Sequence, residues 1–151
     1  PEAFYATYFT TQAADFDAHL ILQGPETLKR RLQEIDRKGS GATAKEKSVA
    51  GLLEVVLEAL ARGISFLPVD LYKSDPKIFL ITPAGLLPPL IGLQGLGEAA
   101  AESIVAARQE GSFTSIEDLR RRTRLTKTVI EILEEHGALG RLPAQDQLTL
   151  F

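Results

Sequence analysis

The 151-residue sequence contains no cysteine, no methionine and no tryptophan, and it has only two histidines. Without cysteine, the chain can form no disulfide, no thiolate zinc site and no cysteine nucleophile. The two histidines, His19 and His136, leave almost nothing for a histidine metal site or a histidine-dependent catalytic triad. Because the chain starts at Pro1 and contains no methionine, we expect it to be a fragment of a longer polypeptide.

Long hydrophobic runs are also missing. The longest, LLPPLIGL at 86–93, is short and is broken by proline and glycine, so we expect neither a membrane-spanning helix nor a membrane partner. No basic segment followed by an apolar one marks a secretory signal. A hydrophobic content of 44% with 25% charged residues is ordinary for a globular domain and argues against wholesale disorder.

The first part of the chain has the apolar periodicity of helices. Aromatic residues in 4–10 recur at helical spacing. Pro25 is placed to open a second helix, which Gly39 closes. Thr43, three residues before a glutamate, predicts a capping box for a third helix that ends at Gly63.

After Gly63, the runs FLPVDLY and KIFLIT are rich in β-branched and aromatic residues and are separated by a turn signal. They predict a small β-ribbon within about 66–90, with a third piece near Leu86. Pro68 restricts the first run to an edge or irregular strand.

Short helices are predicted over about 98–109, 116–123 and 127–136. Ser115 should cap the second, and Thr126 or Thr128 the third. The last residues, 141–151, have no periodicity and predict an extended, mobile tail. The predicted fold is therefore mainly α, with a small β-ribbon and a flexible C-terminal tail.

Gly95 and Gly97 lie directly before the first of these short helices, which is rich in alanine. Glycine permits a positive φ and a close approach of the backbone to a ligand, and the free amides at a helix N-terminus favour a phosphate. This pattern resembles the helix-hairpin-helix motif, which binds a DNA backbone without reading bases. A plain helix-capping loop in an all-α domain is the alternative.

A second, degenerate copy of the hairpin is predicted over 116–139. Between 119 and 128 the sequence has five cations and no acid, although the net charge of the whole chain is −3. Such a patch can hold phosphates, although a solubilising helix face explains it equally well. The predicted DNA-binding residues are Gly95, Leu96, Gly97, Glu98, Arg120, Arg121, Arg122, Arg124, Thr126 and Lys127.

The chain closes with Gln147, Leu148, Thr149, Leu150 and Phe151. This pentapeptide looks like the peptide that bacterial replication proteins insert into the sliding clamp, with two apolar residues to fill a pocket and an amide for backbone pairing. The alternative is a tail that folds back and buries its last two residues on its own domain.

Catalytic patterns are nearly absent. Asp15 and Asp17 form a lone DxD pair with no evident third carboxylate for a two-metal site. The sequence has no P-loop, no HExxH and no ordered Ser/His/Asp set. We therefore expect no catalytic residue and no metal ligand in this chain.

The strings GISFLPVDLYKSD, LIGLQGLGEAAAESIVAARQEGSFTSIEDLRRR and LTKTVIEILEEHGAL occur in the order typical of a known family. The chain resembles the C-terminal part of bacterial replicative DNA polymerase III alpha subunits, and PEAFYATYFT with the closing QLTLF resembles the PolC-type branch. The resemblance implies the end of the fingers at 1–90, a tandem helix-hairpin-helix domain at 91–140 and a clamp-binding tail at 141–151.

The resemblance carries the hairpin role to Gly95 and Gly97 and the clamp role to the pentapeptide, in which Thr149 departs from the small polar residue expected there. The arginines and the lysine rest on the charge pattern alone. The implied parent is a cytoplasmic DNA-directed DNA polymerase with catalytic aspartates upstream, using Mg²⁺ and dNTPs. The implied partners are duplex DNA, the sliding clamp (beta subunit) and other replisome subunits.

Two other interpretations stay open from the sequence. The chain could be a helix-hairpin-helix module of a repair or scaffold protein that is not a polymerase. It could also be a helical interaction domain with no affinity for DNA.

Overall fold

A computed structural model describes residues 1–146, so the predicted clamp peptide at 147–151 lies outside the described residues. Within 1–146 the chain is mainly helical with one two-stranded sheet, as the sequence predicts. No helix in this range is long and apolar enough to cross a membrane. In chain order the elements are α1 (Glu2–Thr11), α2 (Ala18–Ile21), α3 (Pro25–Lys38), α4 (Ala44–Ala61), β1 (Leu80–Thr82), β2 (Gly85–Leu87), α5 (Glu98–Arg108), α6 (Ile116–Arg122) and α7 (Lys127–His136).

The helix boundaries follow the predicted caps. Pro25 is the first residue of α3, and Thr43 forms a capping box in which its hydroxyl accepts from the Glu46 amide at 3.0 Å. The single-turn helix α2 is not evident from the sequence, because four residues are too few for a periodic pattern. Its N-cap is Asp17, whose carboxylate accepts from the Leu20 amide at 3.1 Å. This half of the DxD pair is therefore a helix cap.

The predicted β-ribbon is present, but its partners differ from the expected ones. β1, from the KIFLIT run, pairs antiparallel with β2, with Leu80 opposite Leu87 and Thr82 opposite Gly85. The FLPVDLY run contributes only an isolated parallel bridge from Phe66 to Leu86. Pro68 has no amide hydrogen to continue that pairing.

One hydrophobic core runs across the predicted boundary at residue 90. Phe9 and Phe16 from the N-terminal part lie in the same buried cluster as Leu93 and Ile104 from the part after residue 90. Gln94, at the start of the hairpin region, donates from its side chain to the carbonyl oxygens of Ala14 and Phe16 at 3.1 and 2.8 Å. The hairpin region is therefore fixed to the helices that precede it.

Residues 143–146 are held against α6, although the sequence predicts a mobile tail from residue 141 onward. The carbonyl oxygens of Pro143 and Ala144 accept from the amides of Ile116 and Glu117 at 2.8 and 3.0 Å. Asp146 accepts from the Ser115 hydroxyl at 2.7 Å. The first turn of α6 has free amide donors, and 143–146 supply acceptors for them, so this segment is held against the second hairpin.

Candidate nucleic-acid interface

The first hairpin consists of the 3₁₀ turn Leu90–Gly92, a tight turn and α5. Gly95 has φ +93°, and a Cβ added there would lie 2.7 Å from Cδ1 of Ile132 on α7. Glycine is required here by the backbone conformation and by packing between the two hairpins. Leu96, named among the predicted DNA-binding residues, is only 3% exposed, and its amide donates to the Leu93 carbonyl. It anchors the turn from inside and offers little to a ligand.

Gly97 is exposed and is the N-cap of α5, with an ordinary extended backbone at φ −81°. A Cβ added here would meet no atom within 4 Å. No side chain caps this helix, nor α1 or α3, whereas side chains cap α2, α4, α6 and α7. Within 1–146 nothing accepts from the amides of 98–100, which leaves a set of free donors facing solvent at the positive end of the helix dipole.

Beside this turn lies a shallow cleft of about 330 Å³ lined by Gln94, Gly95, Gly97 and Glu98, among others. Glu98 and Glu102 place two carboxylates near the free amides, and the Lys77 ammonium lies 3.3 and 3.4 Å from them. The two carboxylates raise the pKa of Lys77. The sequence does not indicate Lys77, because it lies in a loop well before the hairpin motif.

The second hairpin, α6 and α7, presents its turn next to α5. The Arg124 amide donates to the Ser103 hydroxyl of α5 at 3.3 Å. Ser103 lies six residues beyond Gly97, or about 9 Å along the helix axis at 1.5 Å per residue. Thr126 caps α7 by accepting from the Val129 amide at 3.2 Å, as the sequence predicts. The turn of the second hairpin therefore lies beside α5, about 9 Å along the helix axis from Gly97.

The five cations of the predicted patch have different environments. Arg122 donates to the carbonyls of Ala107, Gly111 and Ser112 at 2.8, 2.9 and 3.0 Å. Its guanidinium also lies 4.5 Å from the centre of the Phe113 ring. Since Arg122 uses its donors within the chain, it ties the end of α5 to α6 and is not available to DNA.

Arg121 is also engaged, with Asp118 at 2.8 Å and Asp146 at 3.5 Å. The Thr114 amide and the neighbouring arginines hold the pKa of Asp118 below its usual range. Asp118 lies directly before the acid-free stretch of sequence, whereas Asp146 lies well after it and is brought close by the fold. Arg120, Arg124 and Lys127 remain; all three are exposed, and none forms an ion pair within residues 1–146.

A buried histidine holds the far end of the second hairpin. His136, the last residue of α7, accepts at Nε2 from the Val69 amide at 2.9 Å, and its Nδ1 lies 3.4 Å from Nδ1 of His19. Burial and the neighbouring His19 lower the pKa of His136 to about 4. It is therefore neutral at pH 7, with a structural role away from the two turns.

A family model described as a helix-hairpin-helix motif matches residues 63–148, more than half of the chain. The chain belongs to the helix-hairpin-helix family. The match includes both turns and the free amides of α5.

Similarity to curated proteins over the whole of this chain confirms the resemblance to PolC-type polymerases. The chain is 56% identical over all its residues to a DNA polymerase III PolC-type of Caldanaerobacter subterraneus subsp. tengcongensis. It is 48% and 49% identical to the proteins of the same name from Clostridium perfringens and Thermotoga petrophila. The chain spans only about a tenth of their length, 10–11% in each case.

Proposed function

We propose that this helix-hairpin-helix chain grips duplex DNA by its phosphates, without reading sequence, as part of a PolC-type DNA-directed DNA polymerase. The observation that carries the proposal is the uncapped N-terminus of α5, where amides of 98–100 are unused and Gly97 leaves open space in front of them. Backbone amides at a helix N-terminus bind phosphate oxygens and fix the position of a duplex without base contacts.

The second turn adds positive charge to this grip. Arg120, Arg124 and Lys127 are the cations of the patch that no acid neutralises within 1–146. If each neutralises one phosphate, log affinity should fall with log salt at a slope of about −2.7, at about −0.9 per phosphate. The relatives that match along the whole of this chain support a polymerase rather than a repair or scaffold module, because proteins from several organisms among them are named as polymerases.

The phosphate site is tested by placing a side chain at Gly97. Aspartate and asparagine are equally good N-caps, so Gly97→Asp and Gly97→Asn should leave the thermal midpoint equal to or slightly above that of the wild type. Both side chains compete for the same amide, but only aspartate adds a negative charge. We expect Gly97→Asp to weaken duplex binding about tenfold relative to Gly97→Asn, measured by fluorescence anisotropy at low salt. Equal binding by the two variants contradicts the proposal.

The polymerase assignment does not place a metal in this chain. Within 1–146 no three His, Asp or Glu side chains are grouped to hold an ion. The residues therefore do not fit a two-metal centre. We propose that the Mg²⁺ and dNTPs used by the polymerase bind elsewhere in the parent protein.

We further propose that Gln147, Leu148, Thr149, Leu150 and Phe151 dock on the sliding clamp. The support is the sequence of the pentapeptide together with the anchoring of 143–146 on α6, which fixes where the peptide leaves the domain. A duplex grip and a peptide contact on one chain reinforce each other through effective concentration, and this makes synthesis processive.

Deletion of Leu150 and Phe151 should abolish binding to the purified clamp and leave the duplex affinity unchanged. Surface plasmon resonance with immobilised clamp measures the first quantity, and anisotropy with a labelled duplex the second. Clamp binding that survives the deletion contradicts the docking proposal and leaves the DNA proposal intact.

A further inference from the structure

Lys77 lies outside both hairpins but reaches the first turn of α5. Its ammonium bridges Glu98 and Glu102, at 3.3 and 3.4 Å. These two carboxylates are four residues apart and therefore share one exposed face of the helix, next to its free amides. Without a cation, two negative charges there would repel a phosphate approaching the N-terminus of α5.

The position of Lys77 is set by its backbone. The Asp75 carboxylate accepts from the amides of Lys77 and Ile78 at 2.9 and 3.0 Å. The carbonyls of Asp75 and Pro76 accept from the amides of Leu90 and Ile91 at 2.8 and 3.2 Å. The loop is thus fastened to the 3₁₀ turn that leads into the first hairpin, so Lys77 has a fixed relation to α5.

We infer that Lys77 is part of the DNA-binding site: it neutralises Glu98 and Glu102 and so allows the N-terminus of α5 to accept a phosphate. The inference rests on the proposed function and adds to it a residue that lies outside both hairpins. Lys77 acts through the two carboxylates and is a positioning residue. Exposed ion pairs of this kind add little to stability, so their loss should affect binding more than folding.

The test compares variants of the 151-residue chain by anisotropy with a labelled duplex at several salt concentrations. Lys77→Gln should weaken binding about two- to threefold at low salt, as expected for a unit charge roughly 7 Å from a phosphate in water. Lys77→Arg keeps the charge and should bind like the wild type. Lys73→Gln is the matched control: it removes the same charge from the same loop, two residues after Leu71, whose carbonyl accepts from Arg108 at the opposite end of α5.

The carboxylates provide the second half of the test. Adding Glu98→Gln and Glu102→Gln to Lys77→Gln should restore wild-type affinity or exceed it, and the salt slope of every variant should differ from that of the wild type by much less than about 0.9. Two results overturn the inference: wild-type binding by Lys77→Gln, or a slope reduced by about 0.9, which marks a direct phosphate contact. If the wild type itself does not bind the duplex, the proposed function fails as well. If the wild type binds and only the Lys77 variants behave unexpectedly, the proposed function stands.

Discussion

Replacing Gly95 with alanine should destabilise the whole domain, because this glycine has a left-handed backbone conformation and contacts the second hairpin. The new Cβ would lie 2.7 Å from Cδ1 of Ile132, well inside van der Waals contact. The residue would also have to keep φ +93°, a conformation that side chains other than that of glycine rarely adopt. Both costs fall on the contact between the two hairpins.

The two costs can be estimated separately. A left-handed backbone conformation costs an L-residue about 1–2 kcal/mol. The new Cβ meets the end of the Ile132 side chain, which can rotate away, and this adds about 0.5–1.5 kcal/mol. For a domain of this size, each kcal/mol lowers the thermal midpoint by roughly 2–4 °C. We therefore expect Gly95→Ala to lower it by roughly 3–14 °C.

Thermal unfolding followed by circular dichroism measures this loss, and Ile132→Val separates its two parts. That change removes Cδ1 and with it the clash, so the double variant should be more stable than the sum of the single changes predicts, by about 0.5–1.5 kcal/mol. The backbone cost should persist. A midpoint within 1–2 °C of the wild type for Gly95→Ala, or strictly additive changes, would refute this reasoning.

Two further predictions concern side chains that hold the second hairpin. Arg122→Gln should lower the free energy of unfolding in urea by about 1–3 kcal/mol, because it leaves carbonyl acceptors without their donor. Arg120→Gln should change that free energy by less than about 0.5 kcal/mol and should weaken duplex binding. Equal stability of the two variants would contradict these roles. His136, with its pKa lowered to about 4, resists protonation in the folded state, so stability should be full above pH 6.5 and should fall by up to about 3 kcal/mol as the pH drops from 6.5 to 4. His136→Gln should flatten this dependence, and an unchanged pH profile would exclude His136 as its source.

Local elements were well predicted, because their signals lie within a few residues of each other. The caps at Thr43, Ser115 and Thr126 and the stop at Gly39 each depend on a residue and its near neighbours in sequence. The strand pairing was predicted less well. Whether KIFLIT pairs with the run before it or with the one after it depends on which acceptors tertiary packing brings alongside, and local propensity does not encode that.

The same division applies to the candidate site. The order of glycines and alanines along the chain was enough to indicate a helix-hairpin-helix fold, whereas the phosphate-binding turn stays a prediction. Only the folded chain distinguishes Gly95, which packs against Ile132, from Gly97, which faces solvent. Only the folded chain reveals that acids flanking the basic stretch, and a residue 25 positions after Arg121, neutralise part of its charge. A helix and its cap are local, so sequence determines them. Which charges and amides stay free is a property of the whole packed surface, and that is decided by tertiary structure.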